Sequence, residues 1–352
     1  MRDRTITTPG RTLTSTAAPV AAGLTAAVLA LSGCVAGEGS AAAGSSDAGS
    51  GGWSTDAVAV DFATYNPLSL VIREQGWLEE ELDGVEVTWV QSDGSNTANE
   101  NLRAAAVDFG STAGSAALLA RANGSPIRTV DIYSQPEWSA IVVPGDSDIT
   151  DVADLEGTSI AATKGTDPYF FLLQTLEEAG IALDDVEVQN LQHADGRAAL
   201  DNGSVDAWAG LDPIMAAAEA EAGDRLVYRN IDFNTYGFLN AREEFVEEHP
   251  DVTQAVVDAY ERARAWALEH PEELSALLAD VAGIDPEVAA TVIEERTVLD
   301  LDPVPGDEQR AVLEVVGPIF VDSGDVPAQT NVDTALDELF APEFAQEAVT
   351  DE

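Results

Sequence analysis

The stretch SIAATKGTDPYFFLLQTLEEAG, Ser159 to Gly180, decides the architecture of this chain. Its first four residues form a short apolar run of strand length, and Lys164-Gly165-Thr166-Asp167-Pro168 is a turn cluster. Tyr169 to Ala179 then carries a helical apolar pattern that Gly180 stops. A second strand is expected over Val186 to Leu191, a helix over Arg197 to Asn202 ended by Gly203, a strand over Val205 to Ala209 and a helix over Ile214 to Ala222. Strands alternating with helices at this spacing predict a parallel sheet in an α/β fold.

The same rhythm precedes this block. Val58 to Phe62, Val85 to Val90, Val107 to Gly110 and Ile127 to Tyr133 read as strands, and Pro67 to Leu78, Asn96 to Ala106 and Gly114 to Ala122 as helices. Ala140 to Val143, ending at Pro144-Gly145, reads as a crossing strand. Beyond a second crossing at Tyr236 to Asn240 the pattern turns helical. Helices are expected near Ala241 to Glu248, Thr253 to Glu269, Glu272 to Ala282, Pro286 to Glu295 and Asp307 to Asp322, with Thr334 to Phe340 as the last. His249-Pro250, His270-Pro271 and Asp285-Pro286 punctuate them as helix stops and starts do. A central α/β unit bracketed by two crossings implies two lobes, with residues 55–140 and 237–352 in the first and 141–236 in the second. Ligands of open α/β sheets bind beyond the carboxyl ends of the strands, so the cleft between lobes is the expected site.

The first 33 residues are read as a lipoprotein signal peptide. Arg2, Arg4 and Arg11 give a positive start, an apolar run follows to Leu31, and Leu31-Ser32-Gly33-Cys34 is a lipobox ending in the single cysteine of the chain. Cys34 is therefore the expected lipidation site, and residues 34–54, rich in Gly, Ala and Ser, a flexible leash. The chain would be extracytoplasmic and held at the membrane by lipid alone.

Net charge is −48 over 352 residues, with Lys164 as the only lysine. Removal of residues 1–33, which hold three Arg and one Asp, makes it −50. Such a surface excludes nucleic acid and electrostatic docking on anionic lipid. The acids are spread through every segment and form no block, which suits adaptation to salt better than a surface for a cationic partner.

Three loops place Gly, Ser or Thr immediately before a helix: Ser92-Asp93-Gly94-Ser95-Asn96, Gly110-Ser111-Thr112-Ala113-Gly114 and the Lys164 to Pro168 cluster. Helix starts carry unpaired N–H groups and partial positive charge, so three of them facing one cleft would bind an oxyanion. Simple N-capping by Ser95, Thr112 and Asp167 is the alternative at each. Asp167 resists the anion reading, since a carboxylate already occupies that positive end. Lys164 and Arg296 could add positive charge, the latter as a bidentate guanidinium or, alternatively, in an ion pair with one of the many acids. Tyr65, Trp138, Tyr169, Trp208 and Tyr236 lie at strand–loop junctions and could form an apolar wall.

On these segments the sequence resembles the aliphatic-sulfonate, taurine and nitrate substrate-binding proteins of ABC importers, most closely the aliphatic-sulfonate branch. The matching runs are Tyr65-Asn66-Pro67-Leu68 with Gln75-Gly76-Trp77-Leu78, Gly110 to Gly114, Asp154-Leu155-Glu156-Gly157 leading to Lys164-Gly165-Thr166, and Leu176 to Gly180. To these belong Ala199-Leu200, Gly203 to Trp208 and Asp212-Pro213. The resemblance implies a two-lobed, periplasmic-binding-protein-like fold (type II) that closes on a small-molecule anion and delivers it to an ABC permease and its ATPase. It also implies a monomer without cofactor or metal. By that resemblance Ser95, Asn96, Ser111, Thr112 and Thr166 hold the head group, Trp208 and Asp212 border the cleft, and Arg296 is basic at a family position. Tyr65, Gly114, Trp138, Lys164 and Tyr236 complete the expected ligand-binding set. Taurine, nitrate and a thiamine-pyrimidine precursor remain alternative ligands. An enzyme on the same scaffold is the rival class, but His193, His249 and His270 are scattered and no Gly-x-Ser-x-Gly elbow or zinc-ligand cluster occurs.

Overall fold

A computed structural model of the chain describes residues Gly52 to Thr350. The expected signal peptide, Cys34 and nearly all of the expected leash lie outside the described residues. Trp53 and Ser54, placed in the leash by the sequence reading, are already docked. Trp53 packs against the first core, and the Ser54 amide donates to Asp251 at 2.8 Å. Among the described residues no helix is long and apolar enough to cross a membrane.

Among the described residues, eleven strands form two sheets. They are β1 (Ala57–Phe62), β2 (Glu86–Gln91), β3 (Phe109–Ala113), β4 (Ile127–Pro136), β5 (Ser139–Val143), β6 (Ser159–Ala162), β7 (Glu187–Asn190), β8 (Ala207–Leu211), β9 (Arg225–Arg229), β10 (Gly237–Arg242) and β11 (Thr297–Val298). The first sheet has the order β11-β4-β10-β3-β1-β2 and the second β7-β6-β8-β5-β9. Both are mixed, which corrects the expectation of parallel sheets. In the first, β10 runs antiparallel between β3 and β4; in the second, β5 runs antiparallel between β8 and β9. The edge strand β11 also runs antiparallel to β4, while β1, β2 and β3, and likewise β6, β7 and β8, are parallel. Each sheet is thus a parallel α/β core carrying the strand that has crossed over to it.

Helix ends fall where backbone chemistry requires. The helix expected over Pro67 to Leu78 is two, Pro67–Gln75 and Trp77–Glu81, because Gly76 sits in the left-handed region at φ 66° and its N–H caps the first helix on Arg73 and Ile72. The helix Asp167–Ala179 has a side chain buried at each of its first ten positions. Phe170, Phe171 and Leu172 are fully buried there, each worth about 1.5–3 kcal/mol of apolar burial. The expected helix Pro286 to Glu295 is α-helical only to Ala290, and Thr291–Glu295 continues with the wider π hydrogen bonding. The last helix is Glu343–Thr350, preceded by Gln329–Glu338, not Thr334 to Phe340.

Candidate functional site

Three helices begin where parallel strands end, and their starts meet. Ser95–Arg103 follows β2, Asp167–Ala179 follows β6 and His193–Asp201 follows β7. The first N–H groups of each helix have no partner within it, and each start carries partial positive charge. Around them lies a small cavity lined by Tyr65, Ser95, Trp138, Thr166, Asp167, Pro168, His193 and Leu211. It is narrow in this form and admits about one water. A second, equally narrow space shares Tyr65 and Trp138 as its wall. It is bounded by Pro67, Pro136, Val292 and Ile293 on its apolar side and by Asp212 and Arg296 on its charged side.

Tyr65 and Trp138 meet edge to face, ring centres 6.0 Å apart and planes at 81°. Each is fixed at its polar end. The Tyr65 hydroxyl donates to the Ser111 carbonyl at 2.9 Å, and the Trp138 indole N–H donates to Asp167 Oδ2 at 2.7 Å. Ser95 is buried, and its Oγ accepts the Ala113 amide at 2.9 Å. The Thr166 hydroxyl donates back to the Thr163 carbonyl at 2.6 Å and is committed within its own loop.

Asp167 is the most heavily bonded group here. Its Oδ1 accepts from the hydroxyls of Ser115 (2.5 Å) and Thr235 (2.7 Å), its Oδ2 from the indole of Trp138 and the amide of Thr235 (2.8 Å). Burial pushes its carboxyl above the usual range, opposed by these four donors. The aspartate that resisted the anion reading is accordingly a built-in anion beside the start of the helix Gly114–Ala122. That start is closed to a ligand: Gly114 N–H bonds to the Tyr236 carbonyl at 2.9 Å, and Ser115 N–H to the Thr235 hydroxyl at 3.0 Å.

Several expected ligand contacts are placed elsewhere. Ser111 gives its amide (2.9 Å) and hydroxyl (2.7 Å) to Asp61 and accepts from Asn66 (2.7 Å), with no surface exposed. Burial pushes the Asp61 carboxyl up to about 6. Thr112 faces the opposite side of β3 and accepts from Asn240 at 2.7 Å. Trp208 is fully buried among Ala161, Ala199, Leu200 and Met215, a core residue of the second sheet. Lys164 is exposed, its ammonium 5.4 Å from the centre of the Tyr169 ring. Tyr236 is half-buried against the core and contributes its carbonyl to the cap. Asn96 lies at the start of its helix with Oδ1 buried.

Arg296 takes the ion-pair alternative. Its Nη1 bonds both oxygens of Asp212 (3.2 and 3.1 Å) and its Nη2 bonds Glu219 (2.5 Å). Asp212 also accepts the Ala216 amide, and burial pushes it up to about 6 against the pull of Arg296. Two carboxylates neutralise this guanidinium, which borders the second space and not the cavity of helix starts.

The residue that sequence reasoning missed is His193. Reading the helix from Arg197 left it in a loop, whereas the helix begins at His193, directly after β7. The available signal was position: His193 stands at a strand-to-helix junction, as Ser95 and Thr166 do.

The fold and the ring of helix starts define a two-lobed, periplasmic-binding-protein-like architecture with its cavity between sheets. The chain belongs to the NMT1/THI5-like family, whose model matches residues 68–274. It is 30% identical over 257 residues, 72% of this chain and 80% of the relative, to a protein of Escherichia coli (strain K12) named as aliphatic sulfonates-binding. The crystal structure of the periplasmic aliphatic sulphonate binding protein SsuA from Escherichia coli has 26% identity and TM-score 0.71, over 82% of this chain and 93% of that one. The desulfurization enzyme DSZB shares the fold at 20% identity and TM-score 0.63, over 84% and 99% of the two chains.

Proposed function

We propose that the protein is the extracytoplasmic binding component of an ABC importer, taking a small organic anion, foremost an aliphatic sulfonate, by closure of its two lobes. The lobes are residues 55–140 with 237–352, and residues 141–236. Lipid on Cys34 is its membrane tether, and an ABC permease with its ATPase its partner. The observation that carries this reading is the convergence of three helix starts on one cavity, beside an aromatic pair that also walls a neighbouring space with an apolar side. A sulfonate head needs donors on several sides and an alkyl tail needs an apolar wall. The relatives named as sulfonate-binding support the same reading. Binding requires no covalent step, and the shared fold with an enzyme does not supply one.

The test is thermal unfolding with alkanesulfonates, taurine, nitrate and pyrimidine precursors. A ligand at about a hundred times its dissociation constant adds about 2.7 kcal/mol of stability. Stabilisation by alkanesulfonates is the expected result; none by any sulfonate overturns the reading.

Gly94 supplies a second prediction. A Cβ on it would stand 2.9 Å from His193 Nε2 and 2.9 Å from Asn96 Oδ1, closer than real contacts allow. Gly94 and His193 come from different sheets' segments, so their contact exists only with the halves together. Gly94→Val should oppose closure by about 1–3 kcal/mol, a loss of roughly tenfold to a hundredfold in affinity. Unchanged sulfonate affinity in calorimetry would show that this contact plays no part in binding.

A further inference from the structure

His193 is 98% buried by its 2% exposure, and its two ring nitrogens differ. Nδ1 lies 3.2 Å from Thr163 Oγ1, and that hydroxyl has spent its one proton on the Leu191 carbonyl at 2.6 Å. The Thr163 oxygen can therefore only accept from the ring, which puts the hydrogen of the neutral imidazole on Nδ1 and a bare lone pair on Nε2. This tautomer is assigned from the hydrogen-bond geometry. Nε2 is buried without a partner, and the residue lines the cavity with Ser95 and Thr166. An acceptor in the middle of an anion site is a mismatch, because a fully ionised sulfonate carries only acceptors.

Resting on the anion reading above, we propose that His193 is a specificity-determining residue of this site, its Nε2 meeting the ligand's head group, so that a sulfonate is bound together with a proton. The proton comes from solvent and stays on Nε2, turning the lone pair into a donor toward a sulfonate oxygen. No bond of the ligand breaks.

The surrounding charges leave this role to His193. On the facing elements the titratable groups are Asp93 beside Gly94, Tyr65, Asp167, Lys164 and Asp195 of the same helix. Asp93, Lys164 and Asp195 are exposed, Tyr65 donates to Ser111, and Asp167 is saturated by its four donors. Burial alone pushes the imidazole down to about 4, so in the free protein it is neutral at physiological pH. A bound anion raises it again. Between those two values the complex holds more protons than its components, and affinity rises as pH falls.

The experiment is isothermal titration calorimetry of the protein with butanesulfonate, in buffers of different ionisation enthalpy, at about pH 5.5, 6.5 and 7.5. Expected for the wild type is proton uptake on binding and affinity increasing by up to about tenfold per pH unit lowered. His193→Gln should bind with no uptake and a flat profile. Wild-type binding without proton uptake overturns the inference. That is also the result if the Asn96 side chain, whose Oδ1 is likewise buried and unpartnered, turns to give its NH2 to Nε2. An unchanged pH profile in His193→Gln overturns it too. If that variant does not fold, wild-type uptake alone decides. Absence of binding by butanesulfonate and by the other alkanesulfonates at every pH instead overturns the anion reading, and this inference with it.

Discussion

Asp167→Ala should lower the free energy of unfolding by about 4 kcal/mol or more, while Asp167→Asn should cost less. The alanine leaves the Trp138 indole N–H and the Thr235 amide without an acceptor at a site where Asp167 itself is 1% exposed. Each buried donor left unsatisfied costs about 1–3 kcal/mol, and the hydroxyls of Ser115 and Thr235 lose their partner as well. Asparagine is a different case because the four partners fall into two kinds. The two N–H groups on the Oδ2 side can only donate and would meet the amide oxygen. The two hydroxyls on the Oδ1 side can turn and accept from the amide nitrogen, so that only their own protons lose an acceptor. Urea denaturation of both variants checks the prediction. Equal losses would mean that charge, and not hydrogen-bond pattern, holds this junction. Asp167 also fixes Trp138, one wall of the cavity, so Asp167→Ala should weaken ligand binding as a consequence of misplacing the indole.

Arg296→Ala should cost about 3–5 kcal/mol of stability, the penalty for stranding a buried carboxylate whose charge partner is removed. Asp212 is 3% exposed and would be left with the Ala216 amide. Glu219, its side chain 31% exposed, can return to water and adds little. The double variant Arg296→Met with Asp212→Leu should recover most of the loss, because the neighbours Val292, Ile293, Pro136 and Trp138 already make the surroundings apolar. Denaturation of the single and double variants forms a cycle, and a double variant as unstable as Arg296→Ala would show that the pair holds more than its own charges. The loss of Arg296 should act on folding before binding, since both of its terminal nitrogens are committed to carboxylates.

Where an element is bounded by its own chemistry, the sequence reading and the structure agree to the residue. Ser159–Ala162, Gly114–Ala122, Ile214–Ala222 and Asp307–Asp322 are found with the expected ends. Glycine or a small polar cluster marks most of these limits, and such signals act within one turn of backbone. Short strands without local signals were missed. Arg225–Arg229 and Thr297–Val298 are strands because β5 and β4 offer them an edge, a fact located elsewhere in the chain.

The site divides along the same line. That polar loops stand before helices at Ser95 and Thr166 was legible in the residues, as was Trp138 at a crossing. Sequence could not show that Ser111 is held by Asp61, 50 residues away, or that Thr112 is held by Asn240, 128 residues away. Both hydroxyls satisfy buried carboxyl and amide groups of neighbouring strands, and a buried polar group must find such a partner. Asp167 became a junction, and Arg296 an ion pair, for the same reason.

By itself, then, the sequence determined the α/β rhythm, the two crossings and the helix starts able to receive an anion, because strand period, helix caps and glycine turns are properties of neighbouring residues. Only the tertiary structure decided which of those starts face one another, that the helix at Gly114 is closed by its own chain, and that His193 lines the same cavity as Ser95 and Thr166. Burial and hydrogen-bond pairing are settled between residues far apart in the chain, and those distances close only when the two sheets pack.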